Sequence, residues 1–399
     1  AARAADAIIV WGRGMSEVFT DGEKKLLAAN EKVAEVAARV AGDCETGRRP
    51  PREVWQAYAE AGLKGMLVPK EKGGLAVRAT VMASMSEVLG RADPIAALTF
   101  VPQEYCMAAI DRYGHHPWHE EMLKRLMAAE VSTGFLLTEP AAGSDATAMT
   151  TTAAKNAGGW VMNGAKAWVT NAPHIDEYFV FAQTEPGSGA KGIAGFLVPR
   201  EADGVEVSQP YDMLSGHVAS IADVTFRDVA LAPERMVVPP GEGLRAALSA
   251  IDMARINVAA MCCGALAVGL ETALDYTTQR RAFGTEVAQF QGMQWQLAEV
   301  ATDLHAARLM TYDAAARLEA EGKASVEAAH AKKFATRAAM EGLDICMGQM
   351  GSNGLKHDTP LPRLFAAAKI AKTLDGSTEI QNVVISRALL GPYRDRLSG

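Results

Sequence analysis

The chain has 399 residues, 49% of them hydrophobic and 22% charged, which excludes a disordered or fibrous protein and allows two or three domains of about 150 residues. Its 40 basic and 47 acidic side chains give a net charge of −7 without any basic block, and this balance argues against nucleic acid as the main partner. The uncharged stretch of 15 residues over 256–270 is shorter than the ~20 apolar residues of a membrane span, so it predicts a buried helix.

Two further features concern the compartment and the start of the chain. The cysteines are few, odd in number and set in apolar surroundings, which predicts free buried thiols and a reducing compartment. The first 14 residues, AARAADAIIVWGRG, precede Met15-Ser16-Glu17, which resembles a natural start, so we expect residues 1–14 to be a leader outside the fold. The five cysteines are Cys44, Cys106, Cys262, Cys263 and Cys346.

The order of predicted elements is helices, then strands, then helices again. Apolar residues at helical spacing predict the helices, and short apolar or alternating runs between Gly, Pro and Asp predict the strands. The first third is predicted to form helices over 21–40, 52–62, 82–89, 95–113 and 120–130. The middle is predicted to form strands within 133–171 and over 178–183, 195–198, 205–207 and 222–226. The last third is predicted to form helices over 244–276, 291–322, 326–350 and 380–390.

The first motif is FLLTEPAAGSD, Phe135 to Asp145, in which a strand runs into a turn of Pro, Gly and Ser. Such a turn exposes backbone N–H groups and the hydroxyls of Thr138 and Ser144, which can bind an anion or the polar edge of a ring. Taken alone, a loop of this kind is more often structural.

The second motif is GAKAWVTN, Gly164 to Asn171. In a regular strand, Trp168 and Thr170 point to the same face, and together they suit a planar heterocycle. Taken alone, a tryptophan in a strand is usually part of the core.

Two further motifs lie in the helical last third. Arg280 to Gly284, RRAFG, is followed by Phe290-Gln291; it offers a guanidinium for a pyrophosphate and a ring for a purine, or else simply ends a helix. Leu374 to Gln381, LDGSTEIQ, places a carboxylate beside a glycine before a helix, and a plain N-cap explains it equally well.

The four motifs in this order resemble the acyl-CoA dehydrogenase flavoprotein family, over about Thr20 to Pro392. The resemblance implies an α+β fold with an N-terminal α-helical domain at residues 15–134, a middle β-barrel or sheet domain at 135–243 and a C-terminal four-helix bundle at 244–399. It also implies FAD extended between the β domain and the C-terminal helices, a homotetramer, and electron-transfer flavoprotein as the acceptor. The expected location is the bacterial cytoplasm, or the mitochondrial matrix in a eukaryote, with neither membrane nor nucleic acid as a partner.

The resemblance also assigns residues to roles. The FAD ligands that it implies are Leu137, Thr138, Trp168 and Thr170 around the flavin ring, and Arg280, Phe283, Gln291, Gly348, Gly351, Ser352, Ser377, Thr378 and Glu379 around the adenosine-pyrophosphate half. The substrate contacts that it implies are Ser144, Asp252, Arg255 and Gly376, and Asp93 is a further candidate for which a helix cap is the alternative.

The chemistry that the resemblance implies is α,β-dehydrogenation of an acyl-CoA thioester to the 2-enoyl-CoA. Asp375 would remove the α-proton while the β-hydrogen leaves as hydride to flavin N5. The family usually has Glu at this position, and the alternative base position of some relatives is Ala254 here. An Asp base is typical of dehydrogenases for alicyclic thioesters such as cyclohexanecarboxyl-CoA, which we favour together with α-branched substrates, and of nitroalkane oxidases, which remain the alternative.

Two other patterns could suggest different functions but do not support them. Gly241 to Ala246 matches GxGxxA but follows two prolines and lacks a βαβ unit, so no dinucleotide fold is expected there. His115, His116 and His119 stand beside Glu120 without a further obvious ligand, so a helix start is expected rather than a metal site. Relative to the family, Ala366-Ala367 replace an Arg-Asp pair and Ser352 replaces a glycine near the adenine contacts.

Overall fold

The computed structural model describes residues 19–393, so the predicted leader at 1–14 lies outside the described residues. The chain divides into two compact units. Of the described residues, the helical unit contains 19–42, 78–94 and 252–393, and the mixed unit contains 43–77 and 95–251.

The N-terminal third is helical as predicted, with one difference. The helix predicted over 95–113 is two helices, because Pro102 has no N–H for the carbonyl of Leu98 and its ring would collide with that carbonyl. The hydroxyl of Thr99, in the break, donates to the Ala96 carbonyl at 2.6 Å. The helices are α1 (Asp21–Thr46), α2 (Arg52–Glu60), α3 (Ala79–Ala92), α4 (Pro94–Leu98), α5 (Val101–Tyr113) and α6 (Pro117–Met127).

The mixed unit is built on a sheet of eight strands. They are β1 (Thr133–Leu136), β2 (Thr152–Asn156), β3 (Gly159–Val169), β4 (Glu177–Gln183), β5 (Ile193–Pro199), β6 (Val205–Val207), β7 (Ala222–Leu231) and β8 (Met236–Val238). Their order in the sheet is β6-β7-β3-β2-β4-β5-β8, and β1 pairs in parallel with β4. All seven residues of β4 are buried, because both faces of this strand are covered. Phe179 and Phe181 pack with the helix residue Ile110 on one face, and Val180 packs with Phe226 on the other.

The last third forms long helices as predicted, again with differences. The predicted helix over 244–276 is divided at Ala250, and a helix that the sequence analysis did not predict follows Pro360. A short hairpin, β9 (Arg281–Ala282) and β10 (Thr285–Glu286), separates the second and third helices. The helices are α7 (Gly243–Ser249), α8 (Ile251–Gln279), α9 (Gln291–Glu321), α10 (Ser325–Gln349), α11 (Leu361–Ala371) and α12 (Thr378–Leu390).

Helix α8 is rich in apolar residues and buried along most of its length, which is typical of a central helix. Among residues 19–393, the stretch Gly243–Gln279 alone is long and apolar enough to cross a membrane by length and composition, and 94% of its apolar window is buried inside the fold. A helix buried to this extent is weak evidence for a membrane span.

Two glycines allow α3 and α8 of the helical unit to approach each other closely. A Cβ atom on Gly90 would lie 2.2 Å from the Met261 carbonyl oxygen, and one on Gly264 would lie 2.1 Å from the Glu87 carbonyl oxygen. The side chain of Glu87 then pairs with Arg308 of α9 at 2.6 Å. Any larger residue at either glycine would force the two backbones apart.

The five cysteines are free and buried, which confirms the prediction from their surroundings. Burial raises the pKa of the Cys106, Cys262 and Cys346 thiols to about 12. These cysteines are therefore part of the core as neutral thiols.

Glu104 of α5 is fully buried in the mixed unit. Its carboxyl group contacts the Tyr58 hydroxyl at 2.8 Å and accepts from the Met66 N–H at 2.7 Å, while burial raises its pKa to about 7. The Tyr58 hydroxyl also lies 3.0 Å from the Leu63 carbonyl oxygen and has one hydrogen to donate. A protonated Glu104 can donate to the hydroxyl, which then donates to Leu63, so all of these groups are satisfied.

Candidate active site

A buried ion pair joins the first two motifs in the mixed unit. The Lys166 Nζ atom lies 2.8 Å from Glu139 Oε1 and donates to the Leu137 carbonyl at 3.0 Å, and both charged side chains are at most 1% exposed. Burial by itself would raise the pKa of Glu139, but Lys166 and the donors of Thr150 and Thr151 lower it to about 2. The pair therefore ties the end of β1 to β3.

This pairing brings predicted flavin contacts together. The Ala167 N–H donates to the Thr138 carbonyl at 2.9 Å, so Leu137 and Thr138 lie beside the segment that carries Trp168. Glu139 and Lys166 both lie within the sequence motifs, but their pairing was not predicted from the sequence. The signal that could have indicated this pair was the presence of an acidic residue in one motif and a basic residue in the other, since both motifs were expected to include strands.

Trp168 has an unusual backbone conformation. Its φ of +60° is left-handed, and the pairing of β3 with β7 shifts register here. Regular alternation, from which the sequence analysis expected Trp168 and Thr170 to share a face, therefore does not hold, and Thr170 follows the end of the strand. The indole is 59% exposed and lies 4.7 Å from the ring of Tyr211, whose hydroxyl donates to Asp223. The result is an exposed aromatic surface supported from one side.

Ser144 is exposed in the part of the first motif that follows strand β1. The loop begins with a bridge between Glu139 and Ala142, and Asp145 accepts from the N–H and hydroxyl of Thr147. These contacts shape the turn and leave the Ser144 side chain at the surface of the mixed unit.

In the helical unit, Asp375 lies in the turn between α11 and α12. Asp375 and Gly376 have φ values of +48° and +89°, so two consecutive residues are left-handed. Arg255 Nε donates to the Asp375 carbonyl oxygen at 3.3 Å, and Lys332 Nζ donates to the Gly376 carbonyl oxygen at 2.5 Å. Burial raises the pKa of the Asp375 carboxyl group, and the charges of Lys332 and Arg255 oppose that rise.

Asp252 and Arg255 are both buried and lie one turn apart on α8, with their charged atoms separated by 3.9 Å. Asp252 also accepts from the Ala324 N–H at 3.2 Å and from the Ser325 hydroxyl at 2.9 Å. It therefore holds the start of α10, while Arg255 contacts the turn of Asp375. Of the predicted substrate contacts, these two and Gly376 are brought to the same region as the predicted base.

The other end of that turn starts α12. Ser377 is the N-cap residue, and Thr378 is the first helical residue. A hydrogen bond from Ser377 lowers the pKa of the exposed Glu379. Ser377 therefore occupies the N-cap position without a capping hydrogen bond from its side chain, and the turn before it contains the charged groups described above.

Arg280 lies at the edge of a cavity of about 550 Å³ in the helical unit. Gly348, Gly351 and Ser352 are exposed near the end of α10, next to the cavity residue Met350. The cavity offers cationic and amide donors together with an aromatic ring. Its lining residues are Tyr276, Gln279, Arg280, Met350, Asn353, Lys356, Asp358 and Thr359.

Phe283 stands at the tip of the β9–β10 hairpin and is 97% exposed. It has a φ of +52°, and the following Gly284 has a φ of +86°, as two-residue hairpin turns require. Gln291 is exposed at the first position of α9. Both residues therefore have side chains available to a ligand.

Asp93 follows α3, and its buried carboxylate forms an ion pair with Arg363 of α11. The structure thus gives Asp93 a charged partner within the helical unit. Its role as a substrate contact stays a prediction.

Within the described part of the chain, no group of three or more His, Cys, Asp or Glu side chains is placed to hold a metal ion. His116 and His119 cap the start of α6, as expected for a helix start. The His119 Nε2 atom lies 2.7 Å from the Glu234 carbonyl oxygen.

Comparison with known proteins identifies the family over almost the whole chain. Profiles described as the N-terminal, middle and C-terminal domains of acyl-CoA dehydrogenase match residues 23–130, 134–229 and 241–390. A probable acyl-CoA dehydrogenase of Mycobacterium tuberculosis is 32% identical over 91% of this chain and 92% of the relative. The short/branched chain specific acyl-CoA dehydrogenase of Rattus norvegicus mitochondria is 30% identical over 94% of this chain and 88% of the relative.

The fold agrees with these relatives. The structure of butyryl-CoA dehydrogenase from Megasphaera elsdenii matches 93% of this chain and 99% of that chain, with a TM-score of 0.88 and 28% identity. The predicted α+β fold, with its helical, sheet and helical parts in that order, is confirmed. The chain belongs to the acyl-CoA dehydrogenase family, whose members are FAD-dependent oxidoreductases acting on CH–CH bonds.

Proposed function

We propose that this enzyme dehydrogenates the α,β bond of an acyl-CoA thioester and that Asp375 is the base that removes the α-proton. The main support is the position of Asp375, whose turn is held by Arg255 and Lys332. Two cations beside one carboxylate favour its ionised form, and a base must be ionised to accept a proton.

The residues fit the cofactor of the family. The exposed indole of Trp168 offers a flat surface for a tricyclic ring, and the cavity beside Arg280 offers donors for a pyrophosphate. We propose that the ring is bound by Leu137, Thr138, Trp168 and Thr170. We propose that the adenosine-pyrophosphate half is bound by Arg280, Phe283, Gln291, Gly348, Gly351, Ser352, Ser377, Thr378 and Glu379. Bound FAD supplies the acceptor for the β-hydride.

The substrate proposal rests on the length of the base. Asp375 is one methylene shorter than the Glu of the usual family pattern, which leaves more room at the α-carbon. We therefore propose an α-branched or alicyclic acyl group, such as cyclohexanecarboxyl-CoA. The rat relative, named for short and branched chains, supports a branched substrate.

Three further parts of the proposal come from the family relationship. Ser144, Asp252, Arg255 and Gly376 are proposed contacts of the acyl-CoA, and Arg255 and Gly376 already contact or belong to the turn of Asp375. Electron-transfer flavoprotein is the proposed acceptor, and a homotetramer is the proposed assembly. The location of the enzyme stays a prediction.

The test is a substrate panel with an artificial electron acceptor. Straight-chain, 2-methyl-branched and cyclohexanecarboxyl thioesters are compared with nitroethane, with peroxide formation measured in parallel. We expect turnover of thioesters, highest with the branched or cyclic acyl group. Turnover of nitroethane with peroxide and without thioester oxidation would establish the nitroalkane oxidase alternative instead.

The base is tested with D375N and D375E. General-base catalysis contributes about 10²–10⁴-fold, so D375N should lose that factor while it retains FAD absorbance. D375E keeps the charge and should retain measurable turnover with a changed preference for acyl size. Full activity of D375N would show that another group removes the proton.

A further inference from the structure

Lys332 is a buried cation to which the sequence analysis assigned no role. It lies on α10 and is 1% exposed, and lysine is almost never buried to this extent without a partner. Its Nζ donates to the Gly376 carbonyl at 2.5 Å and to the Lys372 carbonyl at 3.2 Å. Both acceptors belong to the segment that joins α11 to α12 and carries Asp375.

That segment needs outside support. Asp375 has a left-handed backbone conformation, which is unfavourable for a residue with a Cβ atom, and the backbone of Gly376 is left-handed as well. Buried Gln381 donates to the Gly376 carbonyl at 2.8 Å, and Arg255 donates to the Asp375 carbonyl at 3.3 Å. Lys332 therefore completes a set of donors from α8, α10 and α12 that fixes two consecutive carbonyl groups.

Lys332 also brings a charge to the carboxylate. Burial lowers its pKa to about 8, against the attraction of Asp375, so it is mostly a cation at neutral pH. Burial raises the pKa of Asp375, and Lys332 is the first of the two cations that lower it. The other charged groups of this region are Arg255 and Asp252 of α8, Glu379 of α12 and Lys372 in the joining segment.

We propose that Lys332 is the positioning residue of the proton-abstraction step: it fixes the Asp375–Gly376 turn through the Gly376 carbonyl and keeps the Asp375 carboxylate ionised. The inference rests on the proposed role of Asp375 as the base. A lysine that served only to stabilise the helix packing would change the free energy of unfolding when replaced, but not the acid side of the pH–rate profile.

The experiment replaces Lys332 and its exposed neighbour Lys333 in the FAD-loaded enzyme. K332M removes the donors and the charge, K332Q keeps an amide NH₂ donor group without the charge, and K333M is the matched control. Each variant is first compared with the wild type by thermal unfolding and by flavin absorbance. The pH dependence of kcat/KM then reports the ionisation of the base.

A second assay isolates proton removal from hydride transfer. Phenylacetyl-CoA has hydrogens on its α-carbon, but its β-carbon is a ring carbon without hydrogen, so dehydrogenation is blocked. Exchange of its α-hydrogens with D₂O, followed by NMR, therefore measures the base alone. D375N is included as the reference for a missing base.

For K332M we expect kcat and the exchange rate to fall by about 10- to 100-fold, with KM nearly unchanged, because the base is misplaced. The acid limb of the plot of kcat/KM against pH should move by about one pH unit to higher pH in both K332M and K332Q, because loss of a nearby cation raises the pKa of a carboxyl group. K333M should match the wild type. If K332M does not fold, K332Q still tests the charge.

The inference is overturned if K332Q, or K332M where it folds, retains the wild-type exchange rate and acid limb while D375N has lost exchange. In that case Asp375 would still be the base and Lys332 would be structural. If D375N itself exchanges at the wild-type rate, the proposed function of Asp375 fails, and the inference about Lys332 fails with it.

Discussion

Replacement of Lys166 by methionine tests whether the ion pair of the two motifs holds the mixed unit together. Methionine fills most of the same volume but donates no hydrogen bond. The change removes the contact to Glu139 at 2.8 Å and the bond to the Leu137 carbonyl at 3.0 Å. Glu139 would remain buried with a negative charge and only neutral donors, from Thr150 and Thr151, around it.

The expected loss follows from that isolated charge. Removal of one partner of a buried ion pair typically costs about 3–5 kcal/mol. The matched control is E206Q, which breaks the pair between Glu206 and Arg227 of the same unit, where the side chains are 58% and 65% exposed. An exposed pair contributes less than about 1 kcal/mol.

The measurement is urea unfolding of the FAD-loaded enzyme followed by circular dichroism, for K166M, E206Q and the wild type. The pH dependence gives an independent check. Because the pKa of Glu139 is lowered from 4.5 to about 2 in the folded state, its stabilisation is present above about pH 4.5 and is lost as the pH falls to about 2. K166M should weaken that acid sensitivity. A loss for K166M no larger than that for E206Q would refute the assignment of the pair as the main tie between the motifs.

Three further changes test other parts of the fold. Burial raises the pKa of Glu104 from 4.5 to about 7, so the free energy of unfolding of the wild type should fall by roughly 3 kcal/mol as the pH rises through that window. E104Q can keep the same hydrogen-bond pattern and should remove this pH dependence. The measurement is unfolding of both proteins at several pH values. Gly90→Ala should destabilise the protein by about 1–3 kcal/mol in urea unfolding because of its backbone contact, whereas Gly292→Ala, with open space around it, should not. D93N should lower the melting temperature through loss of the Arg363 pair and leave the KM for acyl-CoA unchanged; a raised KM without loss of stability would instead support a substrate contact.

The periodicity of the sequence was sufficient to predict most elements. A short apolar run predicted strand β4, whose two faces are both buried. Helical spacing of apolar residues predicted α1, and a long segment rich in Ala, Leu and Met predicted α9. The break at Thr99–Phe100 was missed although Pro102 signalled it, and α11 was missed because its alanines give little contrast between buried and exposed faces.

The local sequence also identified the segments that we propose to carry the chemistry: the four motifs contain Asp375, the exposed indole of Trp168 and the cavity residue Arg280, and the family profiles cover all four motifs. Only the tertiary structure decided which acceptor each buried charged side chain contacts. Lys166 meets Glu139 from 27 residues away, and Lys332 meets the Gly376 carbonyl from 44 residues away. Such contacts produce no periodic pattern in the sequence, because each depends on how strands and helices pack. The sequence also does not distinguish a buried lysine from an exposed one. The left-handed backbone of Trp168 and Asp375 is likewise imposed by the surrounding bonds, against the preference of the residues themselves.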